Sequence, residues 1–216
     1  MKSTLREVME WLACFIIAIV LALLVRYYIG TPTVVQQTSM FPTLKENERL
    51  WLNRWGRTTN KMPERGDIIT FEAPSVIKVE DIDYDNPVAV YNYEPKGLIE
   101  RFAYYVIETP LKKSYIKRVI GLPGEYIEIK DGAVYIDGEK LQENYLPEGT
   151  VTDMLQGNSN ETFFTNFTVP EGYVFALGDN RGGSTDCRAF GCIPKEKIEG
   201  TVAFRFWPFS KFGGVE

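Results

Sequence analysis

Hydrophobic residues are concentrated in one unbroken run near the start of the chain. Fifteen apolar residues extend from Trp11 to Val25, and the sequence RYYI follows them. A helix over residues 11–29 is about 28 Å long, close to the thickness of a bilayer core. Its aromatic ends suit the membrane interface, and its one arginine can extend toward water. The pattern predicts a transmembrane anchor at 11–29, preceded by a short cytoplasmic segment at 1–10.

A buried core helix or a cleaved signal peptide would also contain an apolar run of this kind. No polar stripe interrupts it, which argues against a core helix. No small-x-small sequence follows it, which argues against cleavage. Lys2 and Arg6 favour an N-terminus inside the cell, although Arg26 on the far side weakens that bias. We therefore expect residues 30–216 to form an extracytoplasmic domain.

Beyond the anchor, short apolar segments alternate with turn sequences. Residues 30–33 (GTPT) are expected to end the helix, and residues 34–37 to form a strand that leads to Ser39. The ten residues from Ile29 to Ser39 span at most about 35 Å, so this serine should work near the membrane.

Further strands are predicted wherever apolar and β-branched residues lie between turn signals. These segments are 66–71 (a turn and then a strand), 115–121, 126–129, 133–136, 173–177 and 202–206. The sequence KDG between the third and fourth marks a hairpin. No long amphipathic helical pattern is present outside the anchor, so the fold is predicted to be mainly β.

Two stretches, 74–113 and 141–168, are less regular and are predicted to be variable insertions. The first contains the acidic residues Glu80, Asp81, Asp83 and Asp85, but without the spacing of a calcium loop, so a solvated loop is favoured. The second contains sequons at 160–162 and 166–168, which matter only in a glycosylating host.

Composition excludes several classes of function. The net charge is −5, so no nucleic-acid partner is expected. The chain contains no histidine, which rules out a Ser-His-Asp triad, a Cys-His dyad and any zinc site built on imidazole. We expect neither a metal nor a cofactor. Cys187 and Cys192 lie in a loop-like region and form either a disulfide or two free thiols, since spacing alone does not fix the geometry.

Without histidine, a nucleophilic serine needs another base that is neutral near physiological pH. A lysine serves when burial lowers its pKa. Lys117 is the candidate, because it lies in an apolar strand where alternation places it on one face with Tyr115 and Val119. If that face belongs to the core the lysine is buried; otherwise its stem covers apolar surface and its charge stays in water.

A polar loop, residues 178–188, follows one of the predicted strands. It is a surface turn or an ion-paired scaffold for an active site. In the second case Ser184 would orient a lysine amine, and Asp186 would form a structural ion pair with Arg188.

Four stretches of the chain resemble the sequence boxes of bacterial type I signal peptidases. They are SMFPTL at 39–44, GDII at 66–69, YIKRVIGLPGE at 115–125 and the 178–188 loop. The single anchor and compact size are similar to the enzymes of Gram-positive bacteria. The resemblance implies a coiled antiparallel β-sheet domain and a serine endopeptidase that removes signal peptides from secretory preproteins at the outer face of the cell membrane.

The resemblance also implies roles for individual residues. Ser39 would be the nucleophile and Lys117 the general base, with Ser184 orienting the lysine and Asp186 paired with Arg188. Small residues would be required at positions −1 and −3 of the substrate. One departure concerns Gln37, where the family has Gly or Ser, so the second oxyanion donor is either the Gln37 side chain or a backbone group.

Two alternatives are considered, one a binding protein and the other a second enzyme. A membrane-anchored relative that binds peptides without cutting them, and acts in surface-protein assembly, would not need both Ser39 and Lys117. A self-cleaving repressor shares this pair of residues but would carry a DNA-binding domain in place of the anchor.

Overall fold

The computed structural model describes residues 2–75, 83, 85–107, 112–152 and 164–215. The chain opens with one long helix, α1 (Lys2–Leu24), which continues as a π-helical turn at Val25–Ile29. Within it, the 24 residues Arg6–Ile29 are long and apolar enough to cross a membrane, and their apolar side chains are exposed. The helix contains the predicted anchor, and it begins at Lys2, within the segment predicted to be cytoplasmic.

Strands make up most of the regular secondary structure in the described residues that follow. They are β1 (Gly30–Val34), β2 (Arg49–Asn53), β3 (Ile68–Glu72), β4 (Ser114–Gly121), β5 (Tyr126–Lys130), β6 (Ala133–Ile136), β7 (Glu139–Lys140), β8 (Asn166–Thr168), β9 (Tyr173–Leu177), β10 (Ile193–Pro194) and β11 (Ile198–Trp207). The short helices are α2 (Trp55–Thr58), α3 (Gly97–Phe102) with a π-helical turn at Ala103–Ile107, α4 (Cys187–Phe190), and 3₁₀ turns at Lys195–Lys197 and Phe209–Lys211.

The strands form two antiparallel sheets. The larger has seven strands in the order β1-β2-β11-β3-β4-β9-β10, and the smaller has four in the order β7-β6-β5-β8. The predicted hairpin is present as β5 and β6, with Ile129 opposite Val134. The prediction of a mainly β fold with one N-terminal apolar helix is therefore confirmed.

The first strand is where the prediction was wrong. Residues 34–37 were expected to form it, but the strand is Gly30–Val34 and pairs with β2. Gly30 makes this possible, because a Cβ there would lie 2.5 Å from the Leu52 carbonyl oxygen and 2.7 Å from Trp51 Nε1. With no side chain at this position, the chain passes from the helix directly into a paired strand.

Two apolar clusters support the sheets. The larger packs both sheets together around residues such as Phe71, Phe175 and Ile127, all fully buried. The smaller lies beneath the segment that follows β1 and consists of Val35, Met40, Leu44, Leu50 and Ile68. It fixes the backbone on either side of Ser39.

Both predicted insertions are described only in part. Most of the acidic stretch from 80 to 85 and the sequon at 160–162 lie outside the described residues. The sequon at 166–168 coincides with β8. In the described part of 74–113, the chain forms α3 and its π-helical turn, a helical element that the sequence pattern did not predict.

Candidate active site

A tight turn after β1 presents Ser39. The Phe41 amide donates to the Thr38 carbonyl at 3.0 Å, and the Leu44 amide donates to the Met40 carbonyl at 2.9 Å. Met40 and Leu44 are fully buried in the smaller apolar cluster. Ser39 is itself buried. Burial of its neighbours therefore anchors the turn and fixes the direction of the serine side chain.

Lys117 reaches the same point from the middle of β4. Antiparallel pairing places it opposite Ile69 of β3, and only 1% of its surface is exposed. Its Nζ lies 2.8 Å from Ser39 Oγ and donates to the Ile116 carbonyl at 3.0 Å. Of the two alternatives for this lysine, the structure has the buried one. A nucleophile and a base thus lie within hydrogen-bond distance, 78 residues apart in the chain.

The surroundings of Lys117 favour its neutral form. The pKa of the amine is lowered to about 8; burial is the largest influence, and the Arg188 guanidinium also lowers it. Asp186 and Asp179 act in the opposite direction. Desolvation dominates, so a substantial fraction of the amine is neutral at mildly alkaline pH.

The loop between β9 and α4 packs beside Ser39 and Lys117. Asp186 accepts hydrogen bonds from Arg188 Nε at 2.8 Å and from Arg188 Nη2 at 2.9 Å, with both side chains fully buried. It also caps α4 and accepts from the Gly178 amide at 3.1 Å. The ion pair therefore ties the start of the loop to its end.

Ser184 lies in the same loop and is 1% exposed. Its Oγ has no hydrogen-bond partner among the described residues. Gly178 lies between Ser184 and the turn at Ser39: a Cβ on Gly178 would be 2.1 Å from Ser184 Oγ and 2.5 Å from the Ser39 carbonyl oxygen. The expected bond from Ser184 to the lysine amine is therefore not formed in this structure, and the orienting role of Ser184 stays a prediction.

Sequence reasoning missed the contacts that hold the Ser39 backbone. The Asn180 amide donates to the Ser39 carbonyl at 3.0 Å, and its side-chain nitrogen donates to the Thr38 carbonyl at 3.2 Å. Asp179 accepts from the Thr43 hydroxyl at 2.6 Å and pairs with the buried Arg118. The sequence marked this loop as polar, but nothing local linked it to a turn about 140 residues earlier.

Cys187 and Cys192 are both free thiols in the core. The Ala176 amide donates to Cys187 Sγ at 3.2 Å, so this sulfur contributes to the scaffold without a disulfide. Burial raises the pKa of each thiol, and neither is a nucleophile at ordinary pH.

One cavity opens onto the serine, and a second adjoins it. One, of about 350 Å³, is lined by Ser39, Lys117, Gln37, Tyr115 and Thr185, among others. The second, of about 240 Å³, extends between residues 33–37 and residues 112–116. Gln37 is exposed and lines both. Together they form an open cleft suited to an extended peptide.

Serine hydrolases that use lysine as their base have this arrangement: a serine hydrogen-bonded to a buried lysine, beside an open cleft. Residues 8–207 match the family model described as signal peptidase, peptidase S26. The chain belongs to this family, as a type I signal peptidase and hence a serine endopeptidase.

Two of the relatives with more than 30% identity agree with this assignment. Signal peptidase IB of Staphylococcus aureus (strain COL) is 33% identical over 96% of this chain and 93% of its own length. A probable signal peptidase I-1 of Synechocystis is 32% identical over 94% of this chain and 85% of its own. A crystal structure of a signal peptidase I from Enterococcus faecalis V583 is 29% identical, covers 66% of this chain and 97% of its own, and superposes with a TM-score of 0.39.

We predict that Gly178→Ala lowers kcat strongly, by about 10²-fold, because the new Cβ displaces the backbone that holds the serine. Gly182→Ala is the matched control, since a Cβ at that position of the same loop meets no atom within 4 Å. The measurement is peptide cleavage by the full chain in detergent. Equal rates for the two variants would contradict the proposed packing.

We also predict that Lys117→Met inactivates the protein yet stabilises it near neutral pH. Lowering the lysine pKa from 10.5 to about 8 means that charging it in the folded state costs about 3 kcal/mol. This cost is complete below the folded pKa and disappears as pH rises toward 10.5, where the unfolded lysine also loses its proton.

The Tm of Lys117→Met should therefore exceed that of the wild type near pH 7, and the difference should shrink at alkaline pH. Lys140→Met, at an exposed position on β7, should change neither activity nor Tm appreciably. A Tm below that of the wild type near pH 7 would show that the buried amine is stabilising.

Proposed function

We propose that this peptidase cuts signal peptides from secretory preproteins by means of Ser39 as nucleophile and Lys117 as general base. The observation that carries the proposal is the 2.8 Å separation of Ser39 Oγ and Lys117 Nζ. The lowered pKa of the lysine and the adjoining cleft support it. A binding protein without catalysis would gain nothing from burying an amine against a hydroxyl.

Acylation begins when Ser39 Oγ attacks the carbonyl carbon of the scissile peptide bond. The hydroxyl proton passes to the neutral Lys117 amine as the oxygen–carbon bond forms. The charged amine then donates this proton to the leaving nitrogen, and the carbon–nitrogen bond breaks. An acyl-enzyme on Ser39 remains, and the mature protein leaves with a free amino group.

Deacylation repeats the cycle with water in place of the serine. Lys117, neutral again, accepts a proton from a water molecule that attacks the ester carbon. The tetrahedral intermediate collapses, and the proton returns to Ser39 Oγ. One lysine therefore serves both half-reactions, since each one returns it to the neutral state.

The developing oxyanion needs hydrogen-bond donors on the side opposite the lysine. The Ser39 backbone amide is one donor, because the turn that carries it is fixed by Met40 and Leu44. The Gln37 side chain is the proposed second donor. Its exposure and its place in the cleft leave its amide free to turn toward a bound substrate.

The substrate is proposed to lie extended between residues 34–37 and Ser114–Ile116. Because Gln36 and Gln37 are outside the sheet and make no backbone–backbone hydrogen bond within the described residues, their backbone remains available to a peptide strand. Small side chains at positions −1 and −3 would alternate into the cleft while the intervening one points outward. Such a strand leads the scissile carbonyl to Ser39.

The proposed location is the cell membrane. α1 would span the bilayer with its N-terminus inside, and residues 30–216 would lie on the extracytoplasmic side. Lys2 and Arg6 precede the apolar run, in keeping with the positive-inside rule. The partners are then secretory preproteins and the lipid bilayer, and no nucleic acid.

Ser39→Ala and Lys117→Ala should each abolish cleavage of a preprotein in detergent, because one lacks the nucleophile and the other its base. Lys140→Ala is a control at an exposed lysine of the smaller sheet. Release of the signal peptide is followed by gel shift and by N-terminal sequencing of the product. Wild-type activity in either active-site variant refutes the dyad, and a wild type that binds preproteins but never cuts them favours a binding role.

The rate should depend on pH through Lys117. Only the neutral amine accepts a proton, so kcat/KM should level off above about pH 8 and fall about tenfold per unit at lower pH. A pH profile of peptide cleavage by the full chain measures this. An apparent pKa close to that of free lysine would mean that the amine is not desolvated in the working enzyme.

A further inference from the structure

The helix α3, in the connection between β3 and β4, exposes an unusually apolar surface. Leu98 and Ile99 are each 87% exposed, and Phe102 is 48% exposed. These residues lie at positions i, i+1 and i+4 and therefore share one side of the helix. We call Leu98, Ile99 and Phe102 the apolar face. Lys96 and Arg101, both exposed, lie beside it in the chain.

This helix is attached to the outer end of the anchor. The π-helical turn that follows it, Ala103–Ile107, packs against the π-helical turn that ends the anchor, Val25–Ile29. Arg101 and Tyr105 line a cavity of about 250 Å³ together with Tyr27 of the anchor. The apolar face is therefore carried at the level where the anchor would leave the bilayer.

The inner side of the same insertion is tied to the catalytic domain. Tyr104 is buried, and its ring lies 5.3 Å from that of Tyr93 and 5.1 Å from that of Tyr105. Lys112 Nζ lies over the Tyr104 ring at 5.4 Å and pairs with the buried Glu199 at 2.6 Å. The apolar face therefore has a rigid support.

We propose that the apolar face inserts into the outer interface of the lipid bilayer as a second membrane attachment beside the anchor. The proposal rests on the membrane span proposed for α1. Removing this much apolar surface from water is favourable, and leucine, isoleucine and phenylalanine suit the headgroup boundary. Lys96 and Arg101 would then lie at the depth of the lipid phosphates, where cations are stabilised.

Such a contact would orient the catalytic domain. The insertion joins β3 to β4, the strand that carries Lys117, and Lys112 at its end lines the outer part of the cleft. With the anchor and the apolar face both held in the bilayer, the cleft keeps one direction relative to a signal peptide emerging from the membrane.

Fluorescent labels on single exposed cysteines test the contact in the full chain, since Cys187 and Cys192 are fully buried. The protein is placed in nanodiscs of phosphatidylcholine and phosphatidylglycerol, with or without bromine on the acyl chains. Native Cys14, exposed on the anchor, reports insertion of the span. Leu98→Cys in a Cys14→Ala background reports the apolar face, and Lys140→Cys in that background is the aqueous control.

The expected result is quenching by brominated lipid at positions 14 and 98 but not at 140. Quenching at 14 alone overturns the proposal and leaves the anchor intact. A label at 98 that is shielded from aqueous iodide yet unquenched by lipid means that protein covers the face, which also overturns it. Absence of quenching at position 14 would refute both the membrane span and this proposal. Cleavage of a soluble peptide tests the catalytic pair separately.

A functional measurement complements the labels. Leu98→Asp combined with Ile99→Asp should reduce processing of a bilayer-embedded preprotein several-fold, yet leave cleavage of a short soluble peptide in detergent unchanged. Val151→Asp is the matched control, because Val151 is an apolar side chain with 56% exposure in another loop. Equal losses on both substrates would indicate damage to the fold and contradict membrane docking.

Discussion

The structure depends on keeping one amine out of water beside one hydroxyl. Lys117 is 1% exposed and 2.8 Å from Ser39, and its burial is the main reason that its pKa falls to about 8. A lysine in contact with solvent would keep its proton and would be useless as a base. The central position of β4, covered by β3 on one side and β9 on the other, is what excludes the water.

Two carboxylates close to this amine favour its charged form, and each is paired with an arginine. Asp186 and Asp179 both raise the pKa of Lys117. Asp186 is paired with Arg188 and Asp179 with Arg118, all four side chains almost completely buried. The arginines give the buried carboxylates their hydrogen bonds, and the Arg188 guanidinium also lowers the pKa of Lys117, which offsets part of the effect of Asp186.

Local sequence pattern was sufficient for much of the fold and for part of the site. The hairpin β5–β6 and strand β9 follow from alternation and turn residues, and the absence of histidine pointed to a lysine base. Burial of Lys117 did not follow, because alternation gives two faces and the core face is set by β3 and β9, distant in the chain. The same limit applies to Asn180, whose bond to Ser39 depends on long-range packing. The wrong first strand had a local cause: Gly30 looked like a helix breaker, but it permits close pairing with β2.

That early start of β1 changes how the active site is placed relative to α1, the proposed membrane span. With a flexible ten-residue linker, Ser39 could lie at any distance up to about 35 Å from the end of the anchor. Instead the helix passes at Gly30 into a strand that pairs with β2 along its whole length, and the Arg54 amide donates to the Ile29 carbonyl at 2.9 Å. The distance of Ser39 from the end of α1 is therefore fixed by sheet pairing. A rigid joint at one point still allows rotation about the helix axis, and a second contact beside it is what would remove that freedom.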